Sequence, residues 1–134
     1  MKNLDVQLKR LERKVAAGAQ FVMTQPIFDL ALAKKTFETT RSFGIPLLIG
    51  VMPLLNSRNT EFLHNEVPGI VIPDYIRERM RGKEGESGFQ EGLLIAREVA
   101  AEVLSHFKGI YLITPLIRYE ATAALSQLIR SGKL

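Results

Sequence analysis

The chain contains no cysteine and no tryptophan, and aromatic residues make up only 7% of its 134 positions. The lack of cysteine excludes disulfides, thiolate metal sites and a cysteine nucleophile. A membrane-spanning helix needs roughly 18 or more consecutive apolar residues, and the sequence has no such run. The first segment is charged where a signal peptide would be apolar, so we expect a cytoplasmic protein with no membrane partner.

Signatures of nucleotide, metal and nucleophile sites are equally scarce. The sequence has neither a G-x-G-x-x-G fingerprint nor a P-loop, which argues against the common nucleotide-binding folds. His64 and His106 are 42 positions apart and have no H-E-x-x-H context, so we expect surface or packing histidines and no metal site. No G-x-S-x-G elbow occurs that would expose an activated serine.

What the chain does contain is the composition of one soluble domain, with 46% apolar and 24% charged residues. Its formal net charge is +4, but the basic residues are spread along the chain and interleaved with acids. Nucleic-acid surfaces usually cluster their cations, so we do not expect a nucleic-acid partner. This net charge is equally compatible with an anionic small ligand and with the absence of any charged partner.

Apolar residues follow two alternating patterns. Leu4, Leu8, Leu11 and Val15 are spaced by four, three and four, which predicts a helix over 4–17. Short apolar runs too brief for helices predict buried strands. The predicted strands are 20–24, 45–53 and 110–113, and the predicted further helices are 29–44, 57–67, 74–80, 87–107 and one from 120 onward.

Two serines stand where helices are expected to begin. Ser57 is predicted to cap the third helix, and Ser87 with Gln90 has the form of a capping box for the long fifth helix. Between them the charged, glycine-rich run 79–87 predicts a surface loop.

Three acids follow the expected strand ends or loops, namely Asp29, Asp74 and Glu120. A carboxylate there could act as a general acid or base. The same positions suit helix caps and first-turn acids, and we favour that structural interpretation.

Apolar strands alternating with amphipathic helices predict the α/β class, with about three parallel strands and flanking helices. Ligands bind such sheets at the carboxyl ends of the strands, which directs attention to 24–26, 50–53 and 114–115. The same residues could equally be ordinary turns. Gln25 is the most distinctive of them, because its amide can both donate and accept hydrogen bonds. Three strands cannot close a barrel, so a missing segment or a second copy of the chain is expected to cover the sheet edges.

Several segments together resemble methylenetetrahydrofolate reductases. They are R-K-V-A-A-G-A-Q-F-V-M-T-Q at 13–25, I-G-V-M-P at 49–53 and V-I-P at 71–73. The runs at 57–69 and 111–120 are similar to the bifunctional branch, in which a homocysteine methyltransferase domain precedes the reductase. The resemblance extends over essentially the whole chain.

This resemblance implies a partial (β/α)8 TIM barrel. A complete barrel needs roughly 250 residues, so residues 1–134 would be a single C-terminal fragment that supplies the last three strands. The implied activity is reduction of 5,10-methylenetetrahydrofolate to 5-methyltetrahydrofolate. Hydride passes in this family from NAD(P)H to FAD and on to the folate.

The resemblance also assigns site residues. Arg13 and Lys14 match positions that contact FAD, Gln25 matches a glutamine that contacts folate or nicotinamide, and Arg118 matches an arginine near the same ligand. Placing Arg118 requires one inserted residue. Three further positions depart from the family pattern and receive no role: Gln7, Arg10 and Asn59.

The family's catalytic glutamate and flavin-tuning aspartate lie upstream of this sequence, so no catalytic residue is assigned. We therefore expect the fragment alone to be inactive. The alternative is a non-catalytic α/β module that self-associates through its open sheet edges.

Overall fold

The computed structural model describes residues 4–134, which form six α-helices and three strands. In chain order the elements are α1 (Leu4–Ala16), β1 (Val22–Pro26), α2 (Leu30–Thr40), β2 (Leu47–Val51), α3 (Ser57–Glu66), α4 (Asp74–Met80), α5 (Gly85–Leu104), β3 (Ile110–Leu112) and α6 (Tyr119–Arg130), with a 3-10 turn at Arg41–Phe43. Each predicted helix and strand is present, although β1 begins two residues later than expected and α5 ends three residues earlier.

The three strands form one parallel sheet in the order β1-β2-β3. The predicted α/β class and parallel pairing are therefore confirmed. β2 is the central strand, and β1 and β3 are the two edges within the described residues. The architecture is that of a partial (β/α)8 barrel.

The core lies on one face of the sheet. Ile49 and Val51 of β2 are buried there against the helices, together with Ile95 and Val99 of α5. Because side chains alternate along a strand, the neighbouring residues of the sheet point to the opposite face. Met23, on that opposite face, is 49% exposed.

Helix α5 approaches the chain after β2 unusually closely. A Cβ at Gly88 would lie 2.6 Å from the carbonyl oxygen of Leu55, and a Cβ at Gly92 would overlap the carbonyl group of Leu54. Both glycines are buried inside the helix. Because these two residues, one helical turn apart, have no side chains, the helix can contact the backbone that follows β2.

The two predicted serine caps are wrong. Asn56 caps α3 instead of Ser57, since its side-chain oxygen accepts from the Asn59 amide at 2.7 Å. Helix α5 begins at Gly85 after Glu84, and the Ser87 hydroxyl donates to the Glu84 carbonyl oxygen at 2.9 Å. The expected loop at 79–87 is correspondingly short, because α4 reaches Met80.

Ion pairs connect the three helices between β2 and β3. Arg77 of α4 donates to Glu61 of α3 at 2.7 and 2.9 Å, and Arg79 of α4 pairs with Glu91 and Glu98 of α5. The hydrogen bond from Arg77 lowers the pKa of Glu61 below its ordinary value. These pairs are partly exposed to solvent, so each contributes little to stability. Within residues 4–134, no helix is both long and apolar enough to cross a membrane.

Candidate functional site

The carboxyl end of β1 contains a bulge. Val22 and Met23 pair with Leu47 and Leu48, but Pro26 pairs with Gly50, so three steps on β1 match two on β2. The Thr24 hydroxyl holds the bulge, because it accepts from the Gly50 amide at 3.0 Å and donates to the Gln25 carbonyl at 2.7 Å. Gln25 lies within this bulge, and bulges commonly redirect a side chain.

Gly50 of β2 provides the space for this bulge. A Cβ at Gly50 would lie 3.0 Å from the Thr24 carbonyl oxygen and 3.1 Å from the Gln25 carbonyl oxygen. On the same face Tyr111 of β3 spans β2, and its hydroxyl donates a hydrogen bond to the Thr24 carbonyl. Partial burial raises the pKa of Tyr111 above its ordinary value. The two edge strands are thus joined directly at the bulge.

Gln25 is the second-to-last residue of β1, whereas the sequence predicted a position just past the strand. Its side chain is exposed and lines a cavity of about 160 Å³ together with Leu32 and Thr36 of α2 and with Gly69. Within residues 4–134 the Gln25 amide makes no side-chain hydrogen bond. Its donor and acceptor atoms are therefore available to a ligand.

A larger cavity of about 520 Å³ adjoins this one and shares Leu32 and Gly69 with it. Asp29 is on its rim, and one Asp29 carboxylate oxygen accepts from the Leu32 amide at 2.6 Å. The predicted role of Asp29 as a helix cap is confirmed. Lys35 is the cation on the same rim.

A third cavity, of about 320 Å³, lies after β2 and is lined by Asn56, Arg58, Asn59, Phe62 and Leu116, with Leu55. The Asn59 side chain is already engaged, since its oxygen accepts from the Leu55 amide at 3.2 Å. Its amide nitrogen remains for another partner.

Arg118 is the N-cap residue of α6, after β3, on the sheet edge away from Gln25. Its guanidinium carbon lies 4.7 Å from the centre of the Phe89 ring, and its Nε is 3.7 Å from a Glu120 carboxylate oxygen. Leu116 just before it has a positive φ of 51°, a strained conformation for a leucine. Ile117 is 86% exposed. The loop after β3 therefore presents apolar side chains and one guanidinium to solvent.

Arg13 and Lys14 occupy the last turn of α1 and are exposed. With Arg10 and Ala17 they line an open depression of about 310 Å³, different from the cavity at Gln25. No carboxylate pairs with either cation within the described part of the chain. Arg10, Arg13 and Lys14 are three exposed cations with no acidic partner among residues 4–134, and such a group suits an anion.

The histidines differ in their surroundings. Nδ1 of His64 accepts from the Ile72 amide at 3.1 Å, whereas His106 is exposed. The expected packing role of His64 is confirmed. Among residues 4–134 no three His, Asp or Glu side chains are grouped so that they could hold a metal ion.

Sequence reasoning gave no site role to Tyr111 or Gly69, treated His64 as an ordinary surface or packing histidine, and named Thr24 without its role in the bulge. A signal for the bulge was available, because a glycine inside a strand often marks a bulge or a close backbone approach, and Gly50 is such a residue. The contacts of Tyr111 and His64 join residues 87 and 8 positions apart and have no local signature.

A parallel sheet flanked by helices defines part of a barrel-type α/β protein, and in such proteins ligands bind at the carboxyl edge of the sheet. The chain belongs to the methylenetetrahydrofolate reductase family, whose family model matches residues 1–128. No curated protein matches it.

A solved structure shares the fold. It is described as an uncharacterized protein from Clostridium thermocellum that binds two copies of 5-methyl-5,6,7,8-tetrahydrofolic acid, and it superposes with a TM-score of 0.68 at 16% sequence identity. The match covers 97% of this chain and 50% of that one, so the chain spans about half the length of this structural relative.

Proposed function

We propose that the chain is the folate-contacting C-terminal part of a flavin-dependent methylenetetrahydrofolate reductase. The observation that carries the proposal is the Gln25 amide, which is exposed, without a hydrogen-bond partner in the described residues, and set by a bulge at the carboxyl end of β1. Family membership and the methyltetrahydrofolate bound by the structural relative support a folate as the ligand.

Gln25 suits a pterin ring because the ring edge alternates donors and acceptors, and one carboxamide can satisfy one of each. Arg118 is the second proposed folate contact, and its guanidinium suits a carboxylate of the ligand. The bulge holds Gln25 through Thr24, and Phe89 stacks against Arg118. Both proposed contacts therefore have their own structural support.

The FAD contacts that we propose are Arg13 and Lys14. Their open depression, shared with Arg10, has the charge and exposure that a pyrophosphate requires. FAD supplies hydride transfer from NAD(P)H to the folate when it is bound. The chain's own part is to hold the anionic and heteroaromatic groups, and no residue here is assigned as an acid or base. We expect the isolated chain to lack turnover and the missing barrel strands to complete the site.

Membership of the bifunctional branch, with an upstream homocysteine methyltransferase domain, and a cytoplasmic location are further parts of this proposal. The sequence runs at 57–69 and 111–120 favour the branch. The second candidate function is a non-catalytic module that self-associates through its open sheet edges, and it is favoured by Met23, which is 49% exposed on the edge strand β1. Sedimentation distinguishes the two, because a monomer that binds folate contradicts obligatory self-association.

Calorimetric titration with 5-methyltetrahydrofolate tests the folate site. Gln25→Ala should weaken binding about tenfold or more, which corresponds to roughly 1.4 kcal/mol for a lost hydrogen-bonded group. Gln20→Ala is the matched control, since Gln20 is exposed and precedes β1. Equal affinity of wild type and Gln25→Ala would refute the assignment.

A second titration tests the flavin contacts. The double variant Arg13→Ala, Lys14→Ala should abolish measurable FAD binding. Lys9→Ala is the control and should leave FAD binding unchanged, because Lys9 lies on the exposed face of the same helix. Turnover of methylenetetrahydrofolate by the isolated chain, at a rate near that of an intact reductase, would overturn the expected inactivity.

A further inference from the structure

The segment 67–73 connects α3 to α4 and passes beside the Gln25 cavity. Ile70 and Ile72 are 6% and 1% exposed, whereas Val71 between them is 52% exposed. This alternation anchors one side of the segment in the core. The other side presents Gly69 and Val71 to the cavities described above.

Gly69 contacts the functional end of Gln25. A Cβ built on Gly69 would collide with the Gln25 side-chain oxygen, so the amide packs directly on the bare backbone of the glycine. The φ of Gly69 is +88°, a conformation that other residues rarely adopt. The backbone geometry at position 69 therefore favours glycine, and a larger residue there would displace the end of the Gln25 side chain.

His64 fixes the far end of this segment. Its Nδ1 accepts the amide hydrogen of Ile72 at 3.1 Å, so the proton of the neutral ring is on Nε2. The imidazole is half-buried in the last turn of α3. Since Ile72 is buried, its amide would have no water to replace this acceptor.

We infer that His64 is a positioning residue for Gln25. It holds Ile72, the segment then holds Gly69 against the Gln25 amide, and the amide keeps one orientation before any ligand arrives. His64 itself touches no ligand in this scheme. The consequence for folate binding rests on the proposed function, whereas the position of Gln25 can be measured in the ligand-free chain.

Nuclear magnetic resonance of the side-chain amide of Gln25 tests the positioning without a ligand. His64→Ala should shift or broaden this signal. His64→Asn should restore it, because the asparagine oxygen can replace Nδ1 as acceptor. His106→Ala is the matched control and should leave the signal unchanged, since His106 is exposed. An unchanged Gln25 signal in a folded His64→Ala variant would overturn the inference.

Two measurements keep the inference testable if His64→Ala fails to fold. In the wild-type chain, a scalar coupling between the Ile72 amide nitrogen and His64 Nδ1 should be detectable across the hydrogen bond, and its absence overturns the inference. Gly69→Ala should displace the Gln25 signal, and an unchanged signal overturns it equally.

A double-mutant cycle connects the positioning to binding. His64→Ala should weaken 5-methyltetrahydrofolate binding roughly three- to tenfold in wild type, and should add no further loss in the Gln25→Ala background. Losses that simply add would show a general structural role for His64 and refute the inference. If wild type binds no folate, the proposed function fails, while the Gln25 signal still decides the role of His64.

Discussion

Replacing Gly92 with alanine tests the close contact between α5 and the chain after β2. In an ordinary helix interior this change stabilises by about 1 kcal/mol, because alanine has the higher helix propensity. Gly92 is not in an ordinary interior, since a Cβ there would overlap the Leu54 carbonyl oxygen and lie 2.6 Å from the carbonyl carbon. Carbon atoms in contact are usually about 3.5–4.0 Å apart.

The Leu54 carbonyl oxygen is the nearer of these two atoms, so the helix or the loop would have to move by roughly 1.5 Å to restore ordinary contact. The obstacle is backbone, so a side-chain rotation cannot relieve it. Overpacking of this kind costs about 1–3 kcal/mol, and a backbone obstacle places the cost near the upper end. The higher helix propensity of alanine offsets about 1 kcal/mol of this cost. We therefore expect Gly92→Ala to lower the free energy of unfolding by about 2 kcal/mol. For a domain of this size that is a fall in Tm of about 8 °C.

Thermal unfolding followed by circular dichroism, together with urea titration, measures both quantities. Glu102→Ala is the control, because Glu102 is exposed on the same helix and its loss should change stability by less than about 0.5 kcal/mol. A Tm of Gly92→Ala equal to or above that of wild type would show that helix propensity outweighs packing here and refute the reasoning.

Three further variants test the bulge and the ion pairs. Thr24→Val leaves the Gly50 amide without its acceptor and should lower the urea midpoint by the equivalent of about 1–3 kcal/mol, whereas Thr24→Ser should not. Tyr111→Phe should cost about 1 kcal/mol. Because the pKa of Tyr111 is raised, this difference from wild type should be constant below pH 10.0 and shrink as the pH rises through the folded-state value. Glu61→Gln should lower Tm slightly at pH 7, and because the Glu61 pKa is lowered, the gap should close as the pH falls below 4.5.

Each of these outcomes has an opposite that would contradict it. A Thr24→Ser variant as unstable as Thr24→Val would show that the methyl group matters rather than the hydroxyl. The stability difference between Tyr111→Phe and wild type could also persist above the folded-state pKa of Tyr111. In that case burial of the phenol would not be the cause of the raised pKa. A Glu61→Gln gap that widens in acid would have the wrong sign for a carboxylate stabilised by Arg77.

The order and type of the helices and strands could be predicted from the sequence because each buries a periodic apolar face. Helix α5 shows where that reasoning stops. Its apolar period predicted the helix but only part of the buried face, since Ile95 and Val99 are buried beside Ala96 and the helix begins at Gly85, two residues before Ser87. Similarly, Asn56 and Ser57 are both good capping residues, and the choice between them depends on the path of the chain after β2.

The sequence could name candidate residues for the site, but it could not give their geometry. Gln25 could be named from its place near a strand end. Its orientation depends on a bulge, on Gly69 and on Tyr111, and these groups meet through pairing between distant parts of the chain. The roles of Gln25, Arg13, Lys14 and Arg118 stay predictions.

The strand pairing also has a consequence for the order of folding. β1 pairs with β2 across 25 residues, as Val22 with Leu47, whereas β2 pairs with β3 across 61 residues, as Ile49 with Ile110. Closing the longer loop costs about 0.8 kcal/mol more in chain entropy, and contacts distant in sequence form slowly. We therefore expect β1, α2 and β2 to associate first and β3 to dock onto them later. The Tyr111 hydroxyl would reach Thr24 only in that late step, so the strand end that carries Gln25 would be among the last parts of the chain to become rigid.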